Sequence, residues 1–536
     1  MRLIHNSKIS NYFQYLHSFY ASFILIMISA HLQSQNISNI GVQRVYVREA
    51  QLNGTSNKFS SLTNGLFSLT DEDSTLANSP SFLRKNVNQD FLPGKLYSNG
   101  LSFEYVNNTS RPFGWGNGSM IVAKGGQSRI SSGLLYKTKI VEISLQPEWV
   151  RASNKPYKTT ATYGFNTNKI YNKFFMGQSY AQLNFGPLAT GFSNENLWWG
   201  PGQTNALIFS NNAPGFGHLH FSTRRPIRTP VFDFEWQFIA GGLDQDSLLN
   251  AEILYQKPGK YDSKWRYMNG MILTLQPKII PGLYIGFSRV MQFYSPTLKN
   301  KTPFFERYLP SLTEFFKKKI NTQADALNQD DSRDQQATVF LRMIFPKEKF
   351  EFYFEYGLND FKDNTRDLVQ DAQHAGAYIV GFKKIVDQRN KKYISIAGEL
   401  VQMAQSPDYL VRNAGNWYEH SRMVQGFTHM NQILGAGSGM GNNVQMIHIE
   451  QVVRANRLGF KLQRIQNDPR QLVATVATQW LSPIKWTDFS VGPTFSFHKD
   501  NISIQGEAQF VNSKNYGWSK GRLSNLYSSL NLIYHW

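Results

Sequence analysis

Strict alternation of aromatic and polar side chains is the feature that most limits what this chain can fold into. In segment 231–238 one face is aromatic and the other polar: Phe232, Phe234, Trp236 and Phe238 against Asp233, Glu235 and Gln237. Segment 350–356 repeats the pattern. Because successive side chains of a β-strand point to opposite faces, each segment predicts a strand with one apolar and one polar face.

Composition excludes several other classes of protein. After the N-terminus no apolar run reaches the roughly 18 residues that a membrane-spanning helix needs. The chain has no cysteine, which excludes disulfide scaffolds and thiolate metal sites. Aromatic residues make up 14% of the chain and charged residues only 17%, so extensive disorder is not expected. A large protein built from strands remains.

Two architectures share this alternation. In a soluble sandwich or propeller the apolar face is a core, whereas in a transmembrane barrel it faces lipid. Bulky aromatic residues on one face and charged residues on the other favour the barrel. The C-terminal segment 530–536 also alternates and ends on Trp536, which resembles the assembly signal of outer-membrane barrels. The sequence therefore predicts an all-β, transmembrane outer-membrane β-barrel of about 18 antiparallel strands, with long loops partly plugging the lumen.

A targeting segment precedes the strands. Basic residues, a short apolar stretch at 19–30 and small residues follow one another, as in a secretory signal peptide. We therefore assign residues 1–34 to a signal peptide, 35–118 to a periplasmic N-terminal segment and 119–536 to the barrel. The expected location is the outer membrane of a Gram-negative bacterium.

Long connections between the predicted strands are candidates for outer loops or lumen plugs. In the connection 193–229, the run Trp198-Trp199-Gly-Pro-Gly lets the chain bend sharply. We predict that this run lies inside the barrel or at its mouth and restricts the pore. The residues assigned to this plug are Asn194, Glu195, Trp198, Trp199, Asn211 and Asn212.

Two of the long connections carry a family resemblance. Segments 192–202 and 210–215 resemble the signature of the Wzi capsule-assembly family, and segments 416–422, 425–429 and 434–437 resemble its second block. The resemblance covers roughly residues 110–536. It implies an outer-membrane β-barrel of about eighteen strands that acts as a surface lectin and helps to anchor capsular polysaccharide. It also implies a periplasmic helical bundle before the barrel, whereas residues 36–110 show no clear helical periodicity.

The connection 405–445 concentrates side chains that suit a glycan. Aromatic rings offer flat apolar faces to sugars, and arginine pairs with carboxylates. The candidate glycan-binding residues are Asn416, Trp417, Tyr418, His420, Arg422 and His429. The alternative is that this loop folds into the lumen and that the same side chains satisfy one another.

The charge balance indicates an acidic partner. Lys and Arg number 56 and Asp and Glu 37, which gives a formal net charge of +19. An exported protein rarely meets nucleic acid, so acidic capsular or exopolysaccharide and the phosphates of lipopolysaccharide are the expected partners. Outer-membrane lipid and other outer-membrane assembly or secretion proteins are further expected partners.

Nothing in the sequence indicates catalysis, a cofactor or a metal. Asp233 and Glu235 face the same way, but acids that face the lumen are expected in any barrel. His218 and His220 supply too few ligands for a metal site. We predict a non-enzymatic barrel that binds or anchors surface polysaccharide. The alternatives are a partner subunit of a secretion or gliding-motility complex and a diffusion porin, which a filled lumen would oppose.

Overall fold

The computed structural model describes residues 40–54, 61, 63, 89–91, 94–157, 169–246, 265–294, 304–313, 333–359, 376–388, 392–404, 417–420, 423, 425–467 and 484–534. The helices described are α1 Ile40–Leu52, α2 Phe304–Tyr308 and α3 Pro310–Thr313, with a 3-10 helix at Tyr516–Trp518. None of these helices has the length and apolar character needed to cross a membrane. The predicted signal peptide and Trp536 lie outside the described residues.

The strands run, in chain order, β1 Gln89–Phe91, β2 Gly94–Asn108, β3 Gly125–Lys137, β4 Val141–Leu145, β5 Glu148–Ala152, β6 Tyr171–Phe175, β7 Tyr180–Phe185, β8 Leu188–Ser193, β9 His218–Thr223, β10 Ile227–Arg228, β11 Phe232–Leu243, β12 Arg266–Pro277, β13 Leu283–Tyr294, β14 Asp334–Phe345, β15 Phe350–Asn359, β16 Gly376–Gln388, β17 Lys392–Gln402, β18 Thr428–His429, β19 Gln432–Ile433, β20 Asn443–Val453, β21 Asn456–Gln466, β22 Thr487–Lys499, β23 Ile502–Lys514 and β24 Arg522–Tyr534.

One antiparallel sheet closes on itself to form a barrel. The last strand, β24, pairs with β23 on one side and with β2 on the other, where Leu101 lies opposite Tyr534 and Asn108 opposite Tyr527. The short strands β4 and β5 both pair with β3. On their other side β4 pairs with β7, and β5 pairs with β6. The strands β4 and β5 together therefore take the place of one wall strand, and β6 and β7 together take the place of the next. Counting β9 with β10 in the same way, the described wall has 18 strands, which confirms the predicted fold class.

Alternation along each strand separates a lipid face from a lumen face. On β21, Leu458, Phe460 and Leu462 keep 59%, 48% and 47% of their surface exposed, whereas Arg457 and Gln463, which flank them on the opposite face of the strand, keep 4% and 6%. The outward side chains therefore form an apolar band and the inward ones a polar lumen, as in outer-membrane barrels.

The two ends of the barrel differ in their connections. At the short-turn end, residues 454–455 join β20 to β21, residues 500–501 join β22 to β23, and β24 ends. At the long-loop end, residues 194–217 join β8 to β9 and residues 403–442 connect β17 to β20. The first of these connections and the described part of the second return into the lumen, as their contacts below show.

The barrel begins earlier than the boundary predicted at residue 119. Strand β2 pairs with β3 on one side and β24 on the other, so residues 94–108 belong to the wall and not to a separate periplasmic segment. The register between β2 and β3 shifts between Ser98 and Leu101. Such a bulge inserts extra residues on one strand and interrupts the two-residue alternation by which the sequence analysis located strands.

Helix α1 is a second difference between the structure and the predicted periplasmic N-terminal segment 35–118. It lies inside the barrel near the short-turn end, where Tyr46 Oη donates a hydrogen bond to Ala455 O (2.9 Å). Three valines lower its intrinsic helix propensity, and its buried residues include Arg48 and Glu49, so it has no simple apolar stripe. Since the lumen wall that it contacts is polar, the helix carries polar side chains where a core helix would be apolar.

Replacing Leu462 with arginine is expected to destabilise the folded barrel by about 2–4 kcal/mol, the cost of a cation on the lipid face near mid-membrane. Leu462→Phe keeps this face apolar and is the matched control, expected to stay close to wild type. Equilibrium unfolding in urea after reconstitution into lipid measures the free energy of unfolding of both variants. Equal stability of the two variants would show that Leu462 does not face lipid.

Candidate functional site

The connection 194–217 folds back from the long-loop end into the lumen. Within it, Gly200 has φ of 137°, and its N–H donates to Thr63 O (2.9 Å). A Cβ atom at this position would lie 2.8 Å from Glu355 Oε2 on the wall. The Gly-Pro-Gly bend therefore needs glycine at residue 200, for its backbone conformation and for its close approach to the wall.

Glu399 on β17 anchors this bend. Its Oε2 accepts hydrogen bonds from the backbone N–H groups of Gln203 (2.7 Å) and Thr204 (3.2 Å), and its Oε1 accepts from Asn205 Nδ2 (3.2 Å). Tyr353 Oη donates to the same carboxylate (2.8 Å). A buried carboxylate is stable only when its oxygens are hydrogen-bonded, and here the loop supplies four donors, the fourth being the hydroxyl of Thr204. The sequence analysis did not identify Glu399, because its partners lie almost 200 residues away.

Asn211 and Asn212 join three segments that are far apart in the sequence. Asn211 Nδ2 donates to Gly116 O (3.1 Å), and Asn212 Nδ2 donates to Ile433 O (2.9 Å). Asn212 Oδ1 accepts from the N–H of Gly116 (3.1 Å). The two amides thus connect the loop 194–217 to the segment after β2 and to the second inward loop.

The two predicted plug tryptophans differ in their surroundings. Trp199 is fully buried, packs edge-on against Phe209 at 4.9 Å, and donates from Nε1 to Gln237 Oε1 on the wall (2.8 Å). Trp198 is half-buried, and the guanidinium carbon of Arg44 lies 4.5 Å from the centre of its ring. The chain between β8 and β9 therefore runs across the interior of the barrel.

Asn194 and Glu195 hold the start of this loop. The N–H of Asn194 donates to Ser179 O (2.8 Å), and Ser193 Oγ donates to Glu195 Oε2 (3.0 Å). Burial raises the pKa of Glu195 to about 7. Asn194 thus bonds the start of the loop to the residue before β7, and Glu195 bonds to the last residue of β8.

The second inward loop, described over 417–420, 423 and 425–442, packs against the first. Trp417 and Tyr418 are fully buried. Tyr418 Oη donates to Leu207 O (2.9 Å) and accepts from the N–H of Ala436 (2.7 Å). Buried rings offer no face to a sugar, so for these two residues the geometry fits the alternative of a self-packed loop and not direct glycan contact.

The remaining candidate glycan residues divide between described and undescribed positions. His429 is buried, its Nδ1 accepts from the N–H of Asp244 (3.1 Å), and burial lowers its pKa to about 3. The Nδ1 of His420 accepts from the N–H of Met423 (3.1 Å). Asn416 and Arg422 lie outside the described residues. A glycan contact by His420, Asn416 or Arg422 stays a prediction.

Helix α1 adds buried charge at the short-turn end. Glu49 forms ion pairs with Arg457 (2.5 Å) and Lys383 (2.9 Å), both on the wall. Arg48 pairs with Glu351 (2.5 Å), which also pairs with Arg342 (2.7 Å). Arg48 also donates to Pro201 O (2.7 Å), so the helix contacts the Gly-Pro-Gly bend directly.

The residues considered for chemistry have structural partners. Glu235 Oε2 accepts from the N–H of Ser61 (2.8 Å), and Asp233 pairs with Lys278 (3.5 Å). His218 Nδ1 lies 2.8 Å from Phe216 O. Among the described residues no group of three or more His, Asp or Glu side chains is arranged to hold a metal ion.

Comparisons with known proteins bear on this barrel. The sequence profile of the family described as capsule assembly protein Wzi matches residues 128–525. A comparison with curated proteins gives no match. The structure aligns with that of Wzi, an outer-membrane protein involved in group 1 capsule assembly in Escherichia coli and a carbohydrate-binding β-barrel. The identity is 13%, the alignment covers 94% of this chain and 99% of that chain, and the TM-score is 0.60, which shows a shared fold.

Two further solved structures align less closely. OccK5 of Pseudomonas aeruginosa aligns with 82% of this chain and 97% of its own, at 10% identity and a TM-score of 0.39. OccAB3 of Acinetobacter baumannii aligns with 83% of this chain and 100% of its own, at 8% identity and a TM-score of 0.39.

Proposed function

This chain belongs to the capsule assembly protein Wzi family, and from that membership we propose that it is a non-enzymatic outer-membrane barrel that binds surface polysaccharide during capsule assembly. The Escherichia coli protein of the same fold is a carbohydrate-binding barrel involved in capsule assembly. The proposal extends that activity to this chain, with an acidic polysaccharide as the partner.

The filled lumen is the observation that carries the proposal. A barrel of 16–18 strands leaves an aqueous channel when its lumen is empty. Here helix α1 occupies the lumen near the short-turn end, and the loop 194–217 is hydrogen-bonded to the wall through Glu399 and Gln237. The second inward loop packs on the first. This arrangement supports a binding role and opposes that of a diffusion porin.

The proposed orientation places the short-turn end in the periplasm. The helix α1 and the end of β24 both lie there, as expected when a signal peptide at 1–34 delivers the chain from the periplasmic side. The long-loop end then faces the cell surface, where polysaccharide is held.

Charge favours an acidic partner. The excess of 56 Lys and Arg over 37 Asp and Glu makes the protein strongly cationic, which attracts the carboxylates of an acidic capsule and the phosphates of lipopolysaccharide. Such attraction between exposed groups is screened over about 8 Å at physiological ionic strength. Binding should therefore weaken as salt is added.

Deleting the gene tests the proposal. Cells without the protein are expected to release capsular polysaccharide into the medium, whereas cells complemented with the wild type retain it at the surface. The measurement compares cell-bound and released polysaccharide at equal total synthesis. The purified barrel should also be retained on a column of the same polysaccharide and elute with salt. Equal surface retention with and without the protein would refute the proposal, and co-purification with a secretion complex would then favour the partner-subunit alternative.

A further inference from the structure

A cavity lies in the middle of the barrel. Its volume is about 290 Å³, and it is lined by helix α1, the loop 194–217, the segment 113–116 and the wall strands β20, β21, β23 and β24. Sites for small molecules usually measure about 300–1,000 Å³, so this cavity is at the lower end of that range. It has room for one small ring, such as the terminal unit of a polysaccharide, and not for a length of polymer.

The cavity wall combines flat apolar surfaces with hydrogen-bonding groups. Trp115 and Trp198 contribute indole rings, and Gln203, Gln463 and Asn211 contribute amides. Amides both donate and accept hydrogen bonds, as the hydroxyl groups of a sugar require, and aromatic rings pack against the apolar face of a sugar ring. This is the composition of a carbohydrate site.

The wall is held in place before any ligand arrives. Arg44 lies over the ring of Trp198, Asn211 Nδ2 donates to Gly116 O, and Gln203 Nε2 donates to Tyr353 Oη (3.4 Å). Side chains fixed in this way lose little freedom on binding, which favours affinity.

Cations outnumber acids around the cavity. The described lining residues include Arg44, Arg48 and Lys461 but only one acid, Glu507, which pairs with Lys461 at 3.2 Å. Arg48 shares the carboxylate of Glu351 with Arg342. Burial, together with repulsion from Arg48 and Arg342, lowers the pKa of Arg44 well below its ordinary value. A negative charge placed in the cavity would relieve this repulsion.

We propose that this cavity is a binding site for a single acidic sugar residue, whose carboxylate lies against Arg44 and whose ring packs on Trp198. Arginine binds carboxylates through two parallel hydrogen bonds, which selects an acidic sugar over its neutral counterpart. The inference rests on the proposed function, because it assigns an internal site for a terminal acidic unit of the polysaccharide that the barrel binds.

Titration of the full-length barrel in detergent with glucuronate and with glucose tests the site. Saturation-transfer NMR measures binding of each sugar. The wild type is expected to bind glucuronate about tenfold more tightly than glucose, a difference of about 1.4 kcal/mol. Arg44→Gln is expected to remove this preference, and Trp198→Leu to weaken the binding of both sugars. Arg454→Gln, which removes an exposed cation in a turn outside the cavity, is the matched control and should bind like the wild type.

Retention on a polysaccharide column separates this inference from the proposed function. If the wild type is retained but Arg44→Gln and Trp198→Leu bind glucuronate as the wild type does, the cavity site is refuted and the proposed function stands. If the wild type binds glucuronate through Arg44 but is not retained, the site stands and the proposed function fails. If the wild type neither binds glucuronate nor is retained on the column, both the cavity site and the proposed function are refuted. Heat-modifiable migration in gels shows which variants are folded. Because Arg44 lies on helix α1 and Trp198 on the loop 194–217, one variant still tests the site if the other does not fold.

Discussion

Removing helix α1 and the loop 194–217 together is expected to turn the barrel into an ion-conducting channel. The wild type should pass little current in planar bilayers, because the helix and the loop both occupy the lumen. Deleting residues 40–54 and replacing residues 194–217 with a short Gly/Ser linker leaves the 18-strand wall and the second inward loop, and the lumen space set free in a barrel of that size fills with water. Stepwise currents should then appear.

The single deletions are the controls for this experiment. Each removes only one of the two segments absent from the double deletion, so each is expected to conduct less than the double deletion. A large, steady open current from the wild type would contradict the filled lumen. A folded double deletion that carries no current would show that other segments close the barrel.

Replacing Glu49 with leucine is expected to weaken the docking of helix α1 by about 3–5 kcal/mol. The carboxylate of Glu49 neutralises Arg457 and Lys383, and all three side chains are at most 5% exposed. Without it, two buried cations face each other with their main counter-charge removed. Limited proteolysis and hydrogen exchange should show that residues 40–54 become accessible while the barrel keeps its heat-modifiable migration.

An exposed ion pair provides the control. Asp387 pairs with Lys349, and its side chain is 60% exposed. Asp387→Asn is expected to change stability by no more than about 1 kcal/mol, because water already solvates both charges. If Glu49→Leu, like Asp387→Asn, leaves residues 40–54 protected from hydrogen exchange, the buried ion pairs of Glu49 do not hold the helix in place.

Docking of helix α1 should also depend on pH. Burial alone would raise the pKa of Glu49, but Arg457 and Lys383 outweigh it and hold that pKa well below its ordinary value. The undocked carboxyl, with a pKa near about 4.3, therefore binds a proton more readily than the docked one. Docking is at full strength above that value and weakens as the pH falls below it. Hydrogen exchange of residues 40–54 at neutral and acidic pH measures the effect, and Glu49→Leu should lose most of this pH dependence.

Local patterns in the sequence predict the wall well. Alternation in segments 231–238 and 350–356 defines which side chains face lipid, and the structure places Glu235, Glu351 and Glu355 inward as predicted. The sequence also locates the long connections that enter the lumen. Both signals are contained within a few neighbouring residues, which is why they can be read without the fold.

The candidate site is harder to predict, because its contacts join distant segments. Trp417 and Tyr418 have the composition of a sugar-binding surface, yet they pack inside the plug, since Leu207 and Ala436 satisfy the hydroxyl of Tyr418. Glu399 anchors the plug only because the fold brings the bend at 200–205 within hydrogen-bonding distance of its carboxylate. Residue type alone does not distinguish a ring that faces a sugar from one that fills a core.

The sequence by itself determined the barrel, its lipid face and its family, and it marked the long connections as outer loops or lumen plugs, because a two-residue period and contiguous motifs are local properties of the chain. Only the tertiary structure decided that the wall begins at residue 94 or before, that a helix occupies the short-turn end, and which polar residues anchor the plug. The physical reason is the polar lumen. It stabilises a helix and a bend through ion pairs and hydrogen bonds between residues such as Arg48 and Glu351, which are 303 positions apart.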